Sequence, residues 1–104
     1  MYLVREVFHC KPGKVRKLVE KFLAMSELNE QIGMGKMRVL TDFSGSPYWT
    51  LVAEFEVESM AAFDKMMQGM GDMDPAVGKK FEAIMDGYHD LIDHGRREIY
   101  KIEG

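Results

Sequence analysis

The chain has one cysteine, three prolines and one tryptophan, and it lacks any apolar run long enough to cross a bilayer. A lone Cys10 excludes an internal disulfide and points to a reducing compartment, so a cytoplasmic location is expected. Without about 18 consecutive apolar residues there is no spanning helix, and no membrane association is expected. The opening MYLVREVF reads as a strand, so no secretory signal is expected there. The net charge of −3 lacks the basic excess that nucleic acid attracts. Lys11, Lys14, Arg16, Lys17 and Lys21 do cluster. No aromatic residue interleaves them, and a solvated helix face accounts for them, so no nucleic-acid partner is expected.

Methionine is abundant instead, at ten residues in 104. It is flexible and polarizable, and suits either an irregular core or the wall of a cavity. Apolar residues make up 46% and charged residues 30% of the chain, as in an ordinary globular protein. The length fits a single domain over residues 1–104.

Residues 2–10 mix β-branched and aromatic types and predict a strand. Pro12-Gly13 turns the chain. Val15, Leu18, Val19, Phe22, Leu23 and Met25 recur at helical spacing, with an end near Ile32 and Gly33 as a left-handed cap. A second strand is expected over 36–43, with Met37, Val39, Thr41 and Phe43 on one face, and a third over 48–57. The third has one wholly apolar face: Trp49, Leu51, Ala53, Phe55 and Val57. Ser59 then caps a helix with a seam of Met60, Phe63, Met67 and Met70. Gly69 and Gly71 weaken that helix, and Asp74-Pro75 restarts one. Val77, Phe81, Ile84, Met85, Tyr88, Leu91 and Ile92 predict a buried stripe running on to Gly95. A last strand is expected over 96–103.

The order β-α-β-β-α-β, with its second helix broken, predicts an α+β fold of the ferredoxin-like type. Both helical layers should cover one face of a four-stranded antiparallel sheet. The other face is left bare. Val4, Phe8, Leu40 and Val52 are expected on it, which makes it an interface candidate, and a homodimer is the economical way to cover it.

A strand running into KPGKV, the strand YWTLVAEFEV, and then SMAAFDKMM resemble the dimeric α+β barrel superfamily. Its members include NIPSNAP-like proteins and the antibiotic-biosynthesis-monooxygenase group. The resemblance implies a fold and a dimer but no single reaction. Haem-degrading members place an asparagine on the first strand, a tryptophan near the end of the third and a histidine on the next helix. Here the first strand has no asparagine, Val57 stands at the tryptophan position, and Met66 or a neighbour at the histidine position. Haem breakdown is therefore not expected. NIPSNAP-like members often carry an arginine in the first strand. Arg5 is one residue out of register with it, so no catalytic residue is carried over.

The stretch MMQGMGDMDP, residues 66–75, sets Met67, Met70 and Met73 three apart, and thioethers suit Cu(I). Packing explains the same seam, so the stretch reads as a helix end, a hinge and a helix start. Asp86, His89, Asp90 and Asp93 would share one helix face, with ligand types suited to a hard metal. A surface helix shows the same polar face, and no metal or other cofactor is expected. His94 is expected to cap that helix's C-terminus. His9 shares its strand face with Arg5. If that face looks toward the helices, both are polar groups at the edge of a pocket, and His9 is the candidate general base. The expected site lies under 66–75, with Trp49, Met66, Met67, Met70 and Tyr88 binding a small apolar or aromatic ligand and His9 or Arg5 orienting it. Two functions stay open. One is a small-molecule-binding protein, extending to a cofactor-independent oxygenase-like enzyme. The other is a non-catalytic dimeric module that engages a protein partner.

Overall fold

A computed structural model describes residues 1–33, 35–69 and 74–104. The elements run β1 (Tyr2–Cys10), α1 (Val15–Gln31), β2 (Arg38–Thr41), β3 (Thr50–Val57), α2 (Met60–Gly69), α3 (Pro75–Met85), a 3₁₀ turn (Tyr88–Leu91) and β4 (Ile92–Lys101). The four strands form one antiparallel sheet in the order β2-β3-β1-β4, the ferredoxin-like arrangement. Met70 and Met73, and the hinge expected between them, lie outside the described residues.

Each helix starts or stops where its local chemistry directs. Ser59 Oγ accepts from the Ala62 N–H at 3.0 Å to open α2, and Asp74 Oδ1 accepts from the Ala76 N–H at 2.8 Å to open α3. The α1 helix buries Leu18, Val19, Phe22 and Ser26 on one stripe and ends in Gly33, whose φ of 79° costs a residue without Cβ little.

Several boundaries differ from the sequence expectation. The second strand spans only Arg38–Thr41 instead of 36–43, leaving Met37 and Phe43 outside it. The apolar stripe of α3 does not run on to Gly95. The helix stops at Met85, Gly87 takes a φ of 77°, and a 3₁₀ turn carries Tyr88–Leu91. The Leu91 carbonyl accepts the Lys11 N–H at 2.9 Å, so the end of β1 captures the chain and β4 begins at Ile92. His94 and Gly95 are therefore strand residues, not a helix end. Gly95 lies directly opposite Phe8, and a Cβ there would come within 3.0 Å of the Phe8 ring and of the Val7 carbonyl. The third strand also starts later than expected. Trp49 sits in the left-handed region at φ 65°, held there while its carbonyl accepts the Cys10 N–H at 2.8 Å.

The core lies between the sheet and the helices. One cluster joins Cys10, Leu18, Val19, Phe22, Leu51, Ala53 and Leu91; a second joins Val4, Val57 and Phe63. The pairing of β1 with β3 decides which residues face it. Tyr2, Val4, Glu6 and Phe8 stand opposite Val57, Phe55, Ala53 and Leu51, the apolar face of β3. Residues directly opposite share a face. Val4 and Phe8 thus point to the helices, while Arg5 and His9 point to the open side, the reverse of the expected orientation. Leu40 and Val52 do lie on the open side, in line with Val7.

Candidate functional site

A cavity of about 160 Å³ opens on the helix side of the sheet. Phe22 and Met25 of α1, Ala53 and Phe55 of β3, Met66 and Met67 of α2, and Phe81 of α3 supply most of its wall. Glu6 of β1 reaches it from the floor, with Asn29 and Lys36 at the wall. Glu6 Oε1 accepts from Arg97 Nε at 2.5 Å, and the Arg97 guanidinium lies 5.1 Å from the centre of the Phe63 ring. A carboxylate fixed by an arginine gives the floor of the cavity a polar pole, in addition to Asn29 and Lys36 at the wall. Ser26 holds its rim. The Ser26 hydroxyl donates to the Met37 carbonyl at 3.2 Å and accepts the Met37 N–H at 3.1 Å, pinning the approach to β2 against α1.

On the open side a second polar group surrounds His9. Thr50 Oγ1 donates to the Pro47 carbonyl at 2.7 Å, which leaves it to accept from His9 Nδ1 at 3.3 Å. His9 Nε2 accepts from Arg96 Nη1 at 3.0 Å, and the His94 ring lies 4.5 Å away. Burial, then His94, then Arg96 push the His9 imidazole below its ordinary pKa. Its basic nitrogen is therefore occupied by an arginine and is not free to take a substrate proton. Glu98 accepts from Arg96 Nε at 2.8 Å, and this bond holds its carboxyl below the ordinary value. Burial, with Asp42 adding to it, raises the Cys10 thiol.

The residues that the sequence groups into one site thus divide among several places in the fold. Met66 and Met67 line the cavity. Met70 lies outside the described residues. Tyr88 packs against the Cys10–Leu91 core cluster with its ring 3.9 Å from that of His89, and does not line the cavity. Trp49 sits at the end of the β2–β3 hairpin with 40% of its surface exposed. Arg5 and His9 lie across the sheet from the cavity, because the β1 register turns them to the open side. Asp86, His89, Asp90 and Asp93 share no helix face, since they fall in a turn, a 3₁₀ turn and a strand. No three His, Cys, Asp or Glu side chains among the described residues are grouped to hold a metal. Sequence reasoning missed Glu6, whose signal was present: it is the one charge on the strand face that also carries Tyr2, Val4 and Phe8.

No protein-family model matches this sequence, and no curated protein is significantly similar to it. Solved structures do match. An uncharacterized NIPSNAP-like domain protein from Burkholderia xenovorans superposes with a TM-score of 0.75 at 11% identity, over 98% of this chain and 85% of that one. The fold is that of NIPSNAP-like proteins. A NIPSNAP family protein of unknown function from Agrobacterium tumefaciens gives a TM-score of 0.69 at 18% identity, over 98% of this chain and 87% of that one. A Deinococcus radiodurans protein, provisionally described as an antibiotic biosynthesis monooxygenase, gives 0.64 at 11% identity, over 100% of this chain and 94% of that one. The superfamily resemblance read from KPGKV and YWTLVAEFEV therefore holds for the fold. At these identities the NIPSNAP-like fold is what is shared, and no activity comes with it. No helix among the described residues is long and apolar enough to cross a membrane.

Proposed function

We propose that this protein binds a small, largely apolar molecule in the cavity between sheet and helices, and that it works as a homodimer. The observation that carries the first part is the cavity's composition: walls mostly of phenylalanine and methionine, a carboxylate at Glu6 held by Arg97, and Asn29 and Lys36 at the wall. A volume near 160 Å³ suits a single-ring molecule; an engineered apolar cavity of about 150 Å³ accepts benzene. Methionine walls adapt to such guests. Among the lining residues, Glu6 is the side chain able to accept a proton from a bound molecule, so any chemistry would turn on Glu6 rather than His9.

Native mass spectrometry of the purified protein tests both parts. A dimer mass with a retained or exchangeable single-ring guest, such as added phenol, supports the proposal. A chain that neither retains nor takes up such a guest, and shows no thermal shift with it, overturns the binding part.

A second reading, a non-catalytic module that engages a protein partner, is favoured by one feature. Phe43 and Tyr48 project almost wholly into solvent from the β2–β3 hairpin beside Trp49. A filled, guest-free cavity together with loss of partner capture in Phe43→Ser and Tyr48→Ser would favour that module.

A further inference from the structure

The open face of the sheet carries an alternating row of charges that crosses every strand. Arg38 of β2 stands directly opposite Glu54 of β3, Glu54 opposite Arg5 of β1, and Arg5 opposite Glu98 of β4. The row therefore reads Arg38, Glu54, Arg5, Glu98 from one edge to the other. Its members bond along the row. Glu54 pairs with Arg38, and Arg5 Nε lies 3.3 Å from Glu54 and its Nη1 3.2 Å from Glu98. The Glu54 side chain is 7% exposed between its two arginines, whereas that of Arg38 keeps 78% of its surface free. Beside the row runs an apolar one, Leu40, Val52 and Val7, of which Leu40 is the exposed member.

A second copy laid face to face on this sheet can be related by a two-fold axis in one of two limiting directions. An axis lying along the row sets each charge against itself: Arg38 on Arg38, Glu98 on Glu98. An axis lying along the strands reverses the row. Arg38 then faces the partner's Glu98, and Glu54 faces the partner's Arg5. Facing sheets lie about 10 Å apart, a gap that opposed arginine and glutamate side chains span together. Only the second axis is electrostatically self-complementary, and like charges set directly opposite oppose binding.

We infer that the Arg38–Glu54–Arg5–Glu98 row fixes the register of a face-to-face homodimer whose two-fold axis lies along the strands, pairing Arg38 of each copy with Glu98 of the other. It rests on the proposed pairing of two copies through the open face. The row sets orientation, while the exposed Leu40 supplies apolar contact.

Charge reversal tests it. In Arg38→Glu or Glu98→Arg homodimers, both symmetry-related contacts become like-charged. Each variant alone should dimerise at least about tenfold more weakly by analytical ultracentrifugation. An equimolar mixture of the two restores opposite charges at both contacts and should dimerise as wild type does. The Arg38→Glu/Glu98→Arg double variant should do the same. Should the introduced glutamate prevent folding beside Glu54, Arg38→Gln replaces it, with a several-fold weaker dimer expected. Wild-type affinity in the single variants, or no recovery in the mixture, overturns the register while leaving the dimer standing. A wild-type chain that stays monomeric at 100 μM overturns the dimer and the register with it.

Discussion

Arg96 and His9 meet across β4 and β1, with Arg96 Nη1 donating to His9 Nε2 at 3.0 Å. The contact fixes the tautomer: Nδ1 carries the proton toward Thr50, and Nε2 offers its lone pair to the guanidinium. Protonating Nε2 would set a second donor against that guanidinium, beside His94 and within a face that also carries Arg5, Glu54 and Glu98.

The folded state should therefore lose stability as the pH falls from about 6.5. The sign follows from His9 being depressed when folded: its contribution is complete above the unfolded value near 6.5 and is lost as the pH falls through the lower folded value. Thermal melts from pH 7.5 to 5 should show this slope in the wild type and a shallower one in His9→Gln. NMR titration should place the His9 midpoint below 6.5 and raise it in Arg96→Leu. A slope unchanged by His9→Gln would show that other groups govern acid loss.

Filling the cavity should abolish guest binding without unfolding the chain. Ala53 lines it and is itself 1% exposed. Ala53→Leu should weaken phenol binding more than about tenfold. Its overpacking cost of about 1–3 kcal/mol is partly offset by the filled space. Calorimetric titration with a parallel melt reads both effects.

Ser26→Ala should destabilise by about 1–3 kcal/mol, because it strands both the N–H and the carbonyl of Met37 at a partly buried site. Urea denaturation measures the change. Ser26→Thr keeps the hydroxyl and should recover part of it.

Gly95→Val should also destabilise, by about 1–3 kcal/mol. Its Cβ would meet the Phe8 ring and the Val7 carbonyl at 3.0 Å, and a carbonyl in a central strand cannot step aside. Phe8→Leu in the same chain should return some of the loss, since the ring is the movable half of the clash. Chemical denaturation of the single and double variants checks this.

Much of the fold is set by signals that act over a few residues. Ser59 and Asp74 cap their helices through their own side chains, Gly33 closes α1, and alternation along β3 sorts Leu51, Ala53, Phe55 and Val57 onto one face. Each depends only on near neighbours, so the sequence by itself determined them, and with them the order of the elements. The tertiary structure alone decided the rest. Which face of β1 turns inward depends on its register against β3, which is fixed by partners some 41 to 55 positions away. The polar pole of the cavity needs Arg97, 91 residues from Glu6. The start of β4 is decided by the Lys11 amide reaching Leu91, against a helical stripe that continues past it. Periodicity shows that a strand has two faces or that a helix has a stripe; only long-range pairing decides what lies against them.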